Sequence, residues 1–215
     1  MEVRNKIIAL CKEMNSSGLN QGTSGNISAA YHGRMLISPS GIAYDDLEPE
    51  MIASMSLVHE GDHYEGPCKP SSEWHFHRAI LKSNPAYEAV IHTHSNYSTV
   101  LSITRQTIPA CHYMIAAFGG NSVRCADYAT FGSTELSDNI LAAMQDRSAC
   151  LMANHGMVVA GNNLDKAMWA AVELETLSRQ YYQASVVGNM VLLPNDEIDI
   201  VIEKFKSYGL QTKKE

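Results

Sequence analysis

Three histidines and one glutamate carry the chemistry most plainly written in this chain. Val90-Ile91-His92-Thr93-His94 sets two imidazoles at i and i+2. Asn154-His155-Gly156 adds a third far downstream, and Pro70-Ser71-Ser72-Glu73 places a carboxylate just ahead of the pair. Alternate residues of a strand project to one side of its sheet, so His92 and His94 are expected to share a face. Imidazole and carboxylate ligands suit a divalent ion such as Zn²⁺, and a catalytic site of that kind keeps one position open to water or substrate. Spacing alone leaves two readings standing, a metal site or ordinary histidines. A second His-x-His occurs in Trp74-His75-Phe76-His77, but in a helical pattern, where i and i+2 do not face each other. His75 and His77 therefore read as ordinary helix positions. His92 and His94 differ because they end the apolar run Ala89-Val90-Ile91, and strand ends that open onto loops commonly display functional groups.

A second constellation is built for anions. Gln21-Gly22-Thr23-Ser24-Gly25-Asn26-Ile27-Ser28 holds glycine and short polar side chains with no lysine or arginine. Such a segment can turn its backbone N–H groups inward around an anion. Ser38-Pro39-Ser40-Gly41 offers further donors, and Ser71-Ser72 stand where a helix is expected to begin, a position that favours negative charge. Each piece also has a plainer explanation, since glycine–asparagine segments form turns and serines cap helices. Glu73 itself could simply complement a helix dipole. What links them is adjacency: Ser71-Ser72, a candidate phosphate grip, abuts Glu73, a candidate metal ligand.

These groups need a scaffold. Apolar positions at Ile7, Ile8, Leu10, Cys11 and Met14 predict a helix over 2–15. Asn26–Tyr31 and Met35–Ser38 flank His32-Gly33 as a hairpin, and Met51–Val58 reads as a further strand. A helix is expected from Ser71 or Ser72 to Ser83, stopped by Asn84-Pro85. The strand Ala89–His92 follows, then a helix to Ile103. Ser133 reads as the cap of a helix through Gln145, and Cys150–Ala153 and Met157–Ala160 as strands around His155. A long helix from Asp165 is expected to bury Ala167, Trp169, Ala170, Leu174 and Leu177, and a last one spans about 196–207. The interleaving lacks regular βαβ spacing, which predicts a layered mixed α/β domain whose strand order the pattern does not reveal.

With 215 residues, 45% of them hydrophobic and 18% charged, and no linker or repeat, one domain over 1–215 is expected. A net charge of −7 argues against nucleic-acid binding; Lys213-Lys214 reads as a solvated tail. The five cysteines, at 11, 68, 111, 125 and 150, are odd in number and lack a Cys-x-x-Cys, which predicts reduced thiols in a cytoplasm. No signal peptide and no membrane-spanning run is expected.

The chain resembles the class II aldolase/epimerase family, of the fuculose aldolase type, over nearly its whole length. The resemblance is carried by Asn20–Asn26, Pro70–Glu73, His92-Thr93-His94, His112-Tyr113-Met114-Ile115-Ala116-Ala117, Ala129-Thr130-Phe131-Gly132, Asn154-His155-Gly156 and Lys204–Gly209. It implies a three-layer α/β/α domain around a largely antiparallel mixed sheet, and a homotetramer with active sites between subunits. It implies one Zn²⁺ per subunit on Glu73, His92, His94 and His155, and phosphate binding by Gly25, Asn26, Ser40, Gly41, Ser71 and Ser72. Ser40 stands where the family carries threonine, and the hydroxyl is kept. Phe131 and Tyr208 match positions on the aldehyde side. The implied reaction is retro-aldol cleavage of a phosphorylated sugar, L-fuculose 1-phosphate, to dihydroxyacetone phosphate and L-lactaldehyde through a metal-stabilised enediolate. Glu73 and Tyr113 are the implied acid/base groups. The same scaffold serves L-ribulose-5-phosphate 4-epimerases and methylthioribulose-phosphate dehydratases; Ser-Ser-Glu and the segment 112–117 lean towards an aldolase. A non-catalytic adducin-head-like module is the alternative of a different class, and the intact ligand set speaks against it.

Overall fold

The computed structural model describes residues 1–206, so Tyr208 lies outside the described residues. Helix α1 (Glu2–Ser16) leads into the hairpin of β1 (Asn26–Tyr31) and β2 (Arg34–Ile37). Its turn, His32-Gly33, has φ of 48° and 74°, the left-handed pair whose twist matches that of the flanking strands. The chain continues through β3 (Ala53–Ser56), β4 (Tyr64–Glu65), α2 (Trp74–Ser83), β5 (Ala89–Thr93) and α3 (Asn96–Ile103). Then follow β6 (Cys125–Ala126), α4 (Thr134–Ala143), β7 (Ala149–Met152), β8 (Gly156–Gly161), α5 (Leu164–Val187) and α6 (Asn195–Phe205).

The strands form one sheet in the order β4-β3-β2-β1-β5-β8-β7-β6. Every pairing is antiparallel except β6 with β7. Period-two alternation sends Ile27, Ala29, Ile91 and Val159 to one face, where they meet Ile7 of α1, Leu101 of α3, Leu174 of α5 and Ile198 of α6. It sends Met35, Ile37, Val90 and Val158 to the other, against Phe76 and Ile80 of α2 and Leu136 and Ile140 of α4. The result is the α/β/α layering around a largely antiparallel sheet. Each such side chain taken fully out of water contributes about 1.5–3 kcal/mol, so the two apolar layers hold the sheet rigid beneath the loops it carries.

Three local outcomes differ from the sequence pattern. Trp169 is 45% exposed, because the buried stripe of α5 runs through Leu164, Ala167, Met168, Ala171, Leu174 and Ser178 and Trp169 lies one step outside it. Helix α2 starts at Trp74 with Glu73 as its N-cap residue, so Ser71 and Ser72 precede the helix. The strand expected over Met51–Val58 contracts to Ala53–Ser56, with Met51 closing a short 3₁₀ turn. Ser133 caps α4 as read, its hydroxyl accepting the Leu136 N–H at 3.1 Å. The N-terminus of α3 is capped from a distance: the Glu175 carboxylate of α5 accepts the N–H groups of Tyr97 and Ser98 at 2.8 and 2.9 Å.

Candidate active site

Strands β1 and β5 pair with Asn26 opposite His92. Asn26, Ser28 and His92 therefore share the sheet face that α2 covers. His92 is fully buried, and its Nδ1 lies 2.8 Å from the Met157 carbonyl. A carbonyl only accepts, so Nδ1 carries the proton and the bare Nε2 turns towards the neighbouring histidines. His94 follows the end of β5. Gly156 lets it come close, since a Cβ there would sit 3.1 Å from the His94 ring and would run into the Thr93 carbonyl. His155 comes from the three-residue link between β7 and β8, where Asn154 holds a left-handed φ of 55°. These placements bring one ligand atom from each of His92, His94 and His155 within 4.8 Å of one another.

Glu73, presented by the start of α2, lies beside this group. Its Oε2 lies 3.3 Å from His92 Nε2 and its Oε1 lies 3.1 Å from His155 Nε2. Glu73 Oε1, His92 Nε2 and His94 Nε2 are all buried without an aligned hydrogen-bond partner. Orphaned buried polar atoms are rare in native proteins, and three in one place, all electron-pair donors, fit a divalent cation. Burial depresses His92 to about 4 and likewise lowers His94, so both rings are neutral and their lone pairs free at neutral pH. Burial works against an ionised Glu73, but the closeness of His92 and His155 and the Asn26 N–H donor prevail and hold its carboxyl well below the usual range. Neutral imidazoles beside an ionised carboxylate are the protonation states a metal site requires.

The anion-binding candidates converge on the same place. Ser38 is tied to β1 through Ser38 N–H to the Ile27 carbonyl, 3.0 Å, and Ile27 N–H to Ser38 Oγ, 3.1 Å. Ser71 N–H donates to the Ser38 carbonyl at 3.0 Å and Ser40 N–H to the Lys69 carbonyl at 3.2 Å, beside a bridge between Pro39 and Pro70. Gly25–Asn26, Ser40–Gly41 and Ser71–Ser72 are thus stitched into one rim. Gly25 is forced by packing, because a Cβ would lie 2.8 Å from both Asn20 Oδ1 and the His92 carbonyl.

A cleft of about 320 Å³ opens over Glu73, His94 and His155, bordered by Ser24, Ser72, Tyr128 and Phe131. Phe131 is 66% exposed and is held there by Gly132, whose missing Cβ leaves room for the Ser72 carbonyl at 2.9 Å. Tyr113 is not brought to this cleft. It lies half exposed at the start of the 3₁₀ segment Tyr113–Phe118 and borders a separate groove with Trp169 and Glu173. Sequence reasoning missed His77. Far from an ordinary helix position, it is fully buried and contacts Asn26 Oδ1 at 2.5 Å and Ser28 Oγ at 2.7 Å. Burial, with His92 nearby, lowers it to about 3, so the ring is neutral. Its place four residues after Glu73, the spacing of one helix face, was the available signal.

Residues 5–182 match the family described as class II aldolase and adducin N-terminal domain. The chain is 46% identical over 207 residues to L-fuculose phosphate aldolase of Escherichia coli K12, covering 96% of this chain and 95% of that protein. It is also 46% identical over 207 residues to a 5-methylthioribulose-1-phosphate/5-deoxyribulose-1-phosphate aldolase of Rhodospirillum rubrum, covering 96% and 92%. A solved structure of L-fuculose 1-phosphate aldolase superimposes with a TM-score of 0.91 at 37% identity, over 95% of this chain and 96% of that one. This chain belongs to the class II aldolase family. Within it the chain is an aldolase, a carbon–carbon lyase of a family in which metal dependence is typical, and His92, His94 and His155 form a group able to hold the ion. Among the described residues no helix is long and apolar enough to cross a membrane.

Proposed function

We propose that the chain cleaves L-fuculose 1-phosphate, a ketose 1-phosphate, to dihydroxyacetone phosphate and L-lactaldehyde by a retro-aldol step. The observation that carries this reading is the meeting of two subsites. An ionised Glu73 among neutral imidazoles lies beside a stitched rim of glycine and serine donors. Glu73, His92, His94 and His155 would hold one Zn²⁺ per subunit, which would supply Lewis acidity for the negative charge that develops as C3–C4 breaks. Gly25, Asn26, Ser40, Gly41, Ser71 and Ser72 bind the phosphate through N–H, amide and hydroxyl donors, which orients the sugar without a cationic side chain. Glu73 exchanges the proton at C3 of the dihydroxyacetone phosphate fragment, and Tyr113 exchanges the proton of the C4 oxygen. Tyr113 borders a separate groove, and in the proposed homotetramer it serves the cleft of a neighbouring subunit. Phe131 and Tyr208 shape the aldehyde side. The whole of 1–215 acts as one catalytic domain, and five unpaired cysteines support a reducing cytoplasm.

A second reading differs only in the aldehyde. The relative named for 5-methylthioribulose and 5-deoxyribulose 1-phosphates is as similar as the fuculose enzyme, and a pocket discriminates a methyl-sized difference by about 1–3 kcal/mol. The test is dihydroxyacetone phosphate release from L-fuculose 1-phosphate and 5-deoxyribulose 1-phosphate, with and without chelator. A higher chelator-sensitive kcat/KM for the fuculose ester supports the first reading, and the reverse supports the second. No release from either by folded, metal-loaded protein overturns both and directs attention to 4-epimerisation of L-ribulose 5-phosphate.

A further inference from the structure

We infer that Ser28, His77 and Asn26 form a proton-ordered relay that orients Glu73, with His77 a positioning residue for the cleavage. The kinetic part of this inference rests on the proposed function; the hydrogen-bond order does not. Asn26 Nδ2 lies 2.9 Å from Glu73 Oε2. The amide nitrogen faces the carboxylate oxygen, so Asn26 presents its NH₂ to Glu73 and its Oδ1 to the opposite side. His77 Nε2 lies 2.5 Å from that Oδ1. An amide oxygen only accepts, so Nε2 bears the ring proton. The neutral ring then has a bare Nδ1, which takes the Ser28 hydroxyl proton across 2.7 Å. Every proton in the chain is set from the carboxylate outward, and reversing any link would place two acceptors or two donors face to face in the core.

Burial makes that order enforceable. Ser28 and His77 are fully inaccessible, and Asn26 and Glu73 nearly so, so water cannot repair a reversed link. Asn26 and Ser28 are alternate residues of β1, while His77 sits in α2, whose N-cap position Glu73 occupies. The relay therefore fastens the Glu73 end of α2 to the strand that pairs with His92. It also divides the carboxylate: Oε2 is held by Asn26, while Oε1 keeps no aligned donor and remains available for the reaction.

Ring nitrogen-15 NMR of the zinc-loaded protein with labelled histidine tests the order directly. His77 should show a protonated Nε2 and a bare Nδ1 throughout the range from about pH 5 to 8, in which an exposed histidine titrates. A ring proton on Nδ1 overturns the relay. In steady-state kinetics, His77→Phe fills the space without the nitrogens and should lower kcat about 10–100-fold, with little change in KM. His77→Gln keeps an N–H donor for Asn26 and should recover part of that loss. Wild-type kcat in His77→Phe, or equal loss in both variants at equal unfolding midpoints, overturns the positioning role. If His77→Phe does not fold, Ser28→Ala removes only the hydroxyl that holds Nδ1 bare. It should give a mixed tautomer and reduced kcat, and an unchanged tautomer with unchanged kcat overturns the inference. Should the wild-type protein release no dihydroxyacetone phosphate, the proposed substrate falls while the NMR result still decides the relay.

Discussion

Glu73 has two oxygens in unlike surroundings, and that asymmetry is the smallest unit of the chemistry. One is held by Asn26 and the other faces His155. Glu73→Gln keeps the shape and removes the carboxylate that can take up and return a proton. It is expected to lower dihydroxyacetone phosphate release about 10²–10⁴-fold while the three imidazoles retain zinc, as metal analysis would show. Unchanged turnover in the metal-loaded variant would remove Glu73 from the chemistry. Acid stability also belongs to single residues. In the metal-free fold His92 lies at about 4 and His77 at about 3, both against 6.5 for a free imidazole. The unfolded chain therefore binds more protons below pH 6.5, and stability falls as pH drops from there towards 4 and 3. The lowered carboxyl of Glu73 acts in the same direction below 4.5. The unfolding free energy of the metal-free protein, read by urea titration, should fall between pH 7 and 5 by about 3–4 kcal/mol; equal stabilities would contradict the buried neutral rings. The candidate ligands His92 and His94 were legible in the sequence because a strand's period and an apolar run mark them. The role of His77 was not, because it depends on β1 lying across from α2.

Elements position those residues through close backbone approaches. Gly156 opens β8 and lies against Thr93 and His94, so the turn that carries His155 is gauged by a missing methyl. Gly156→Ala should cost about 1–3 kcal/mol of stability and weaken zinc retention together with activity. Calorimetry and chelator competition would check this, and a stable variant with full zinc affinity would show that the turn has slack. Helix periods and caps were readable: α1, α4 and the break at Asn84-Pro85 fall where spacing places them. The start of α2 was not, since two serines and Glu73 are all competent caps and the choice falls to tertiary bonds from Ser71 to Ser38. Strands β4 and β6, two residues each, are too short to carry a period. The exposed Trp169 shows that a bulky apolar residue beside a stripe need not belong to it.

The whole molecule sets what a single chain can contribute. Glu73 and Tyr113 border different openings, and the proposed assembly brings one chain's tyrosine to its neighbour's carboxylate. Co-refolding Glu73→Gln with Tyr113→Phe protein should then restore activity that neither variant has alone, because a mixed oligomer contains sites with both groups intact. No restoration in verified mixed oligomers would place both groups in one chain. The layered class was legible from interleaved elements, but the strand order was not, because pairings such as β1 with β5 and β5 with β8 join segments far apart in the chain. That separation has a consequence during synthesis. Glu73, His92 and His94 leave the ribosome well before His155, and the strand whose carbonyl sets the His92 tautomer follows later still. A half-made chain offers an incomplete, flexible ligand set. In the proposed zinc enzyme, tight capture of the ion would wait until β8 has zipped against β5, and metal loading would be a checkpoint that only a nearly finished fold can pass.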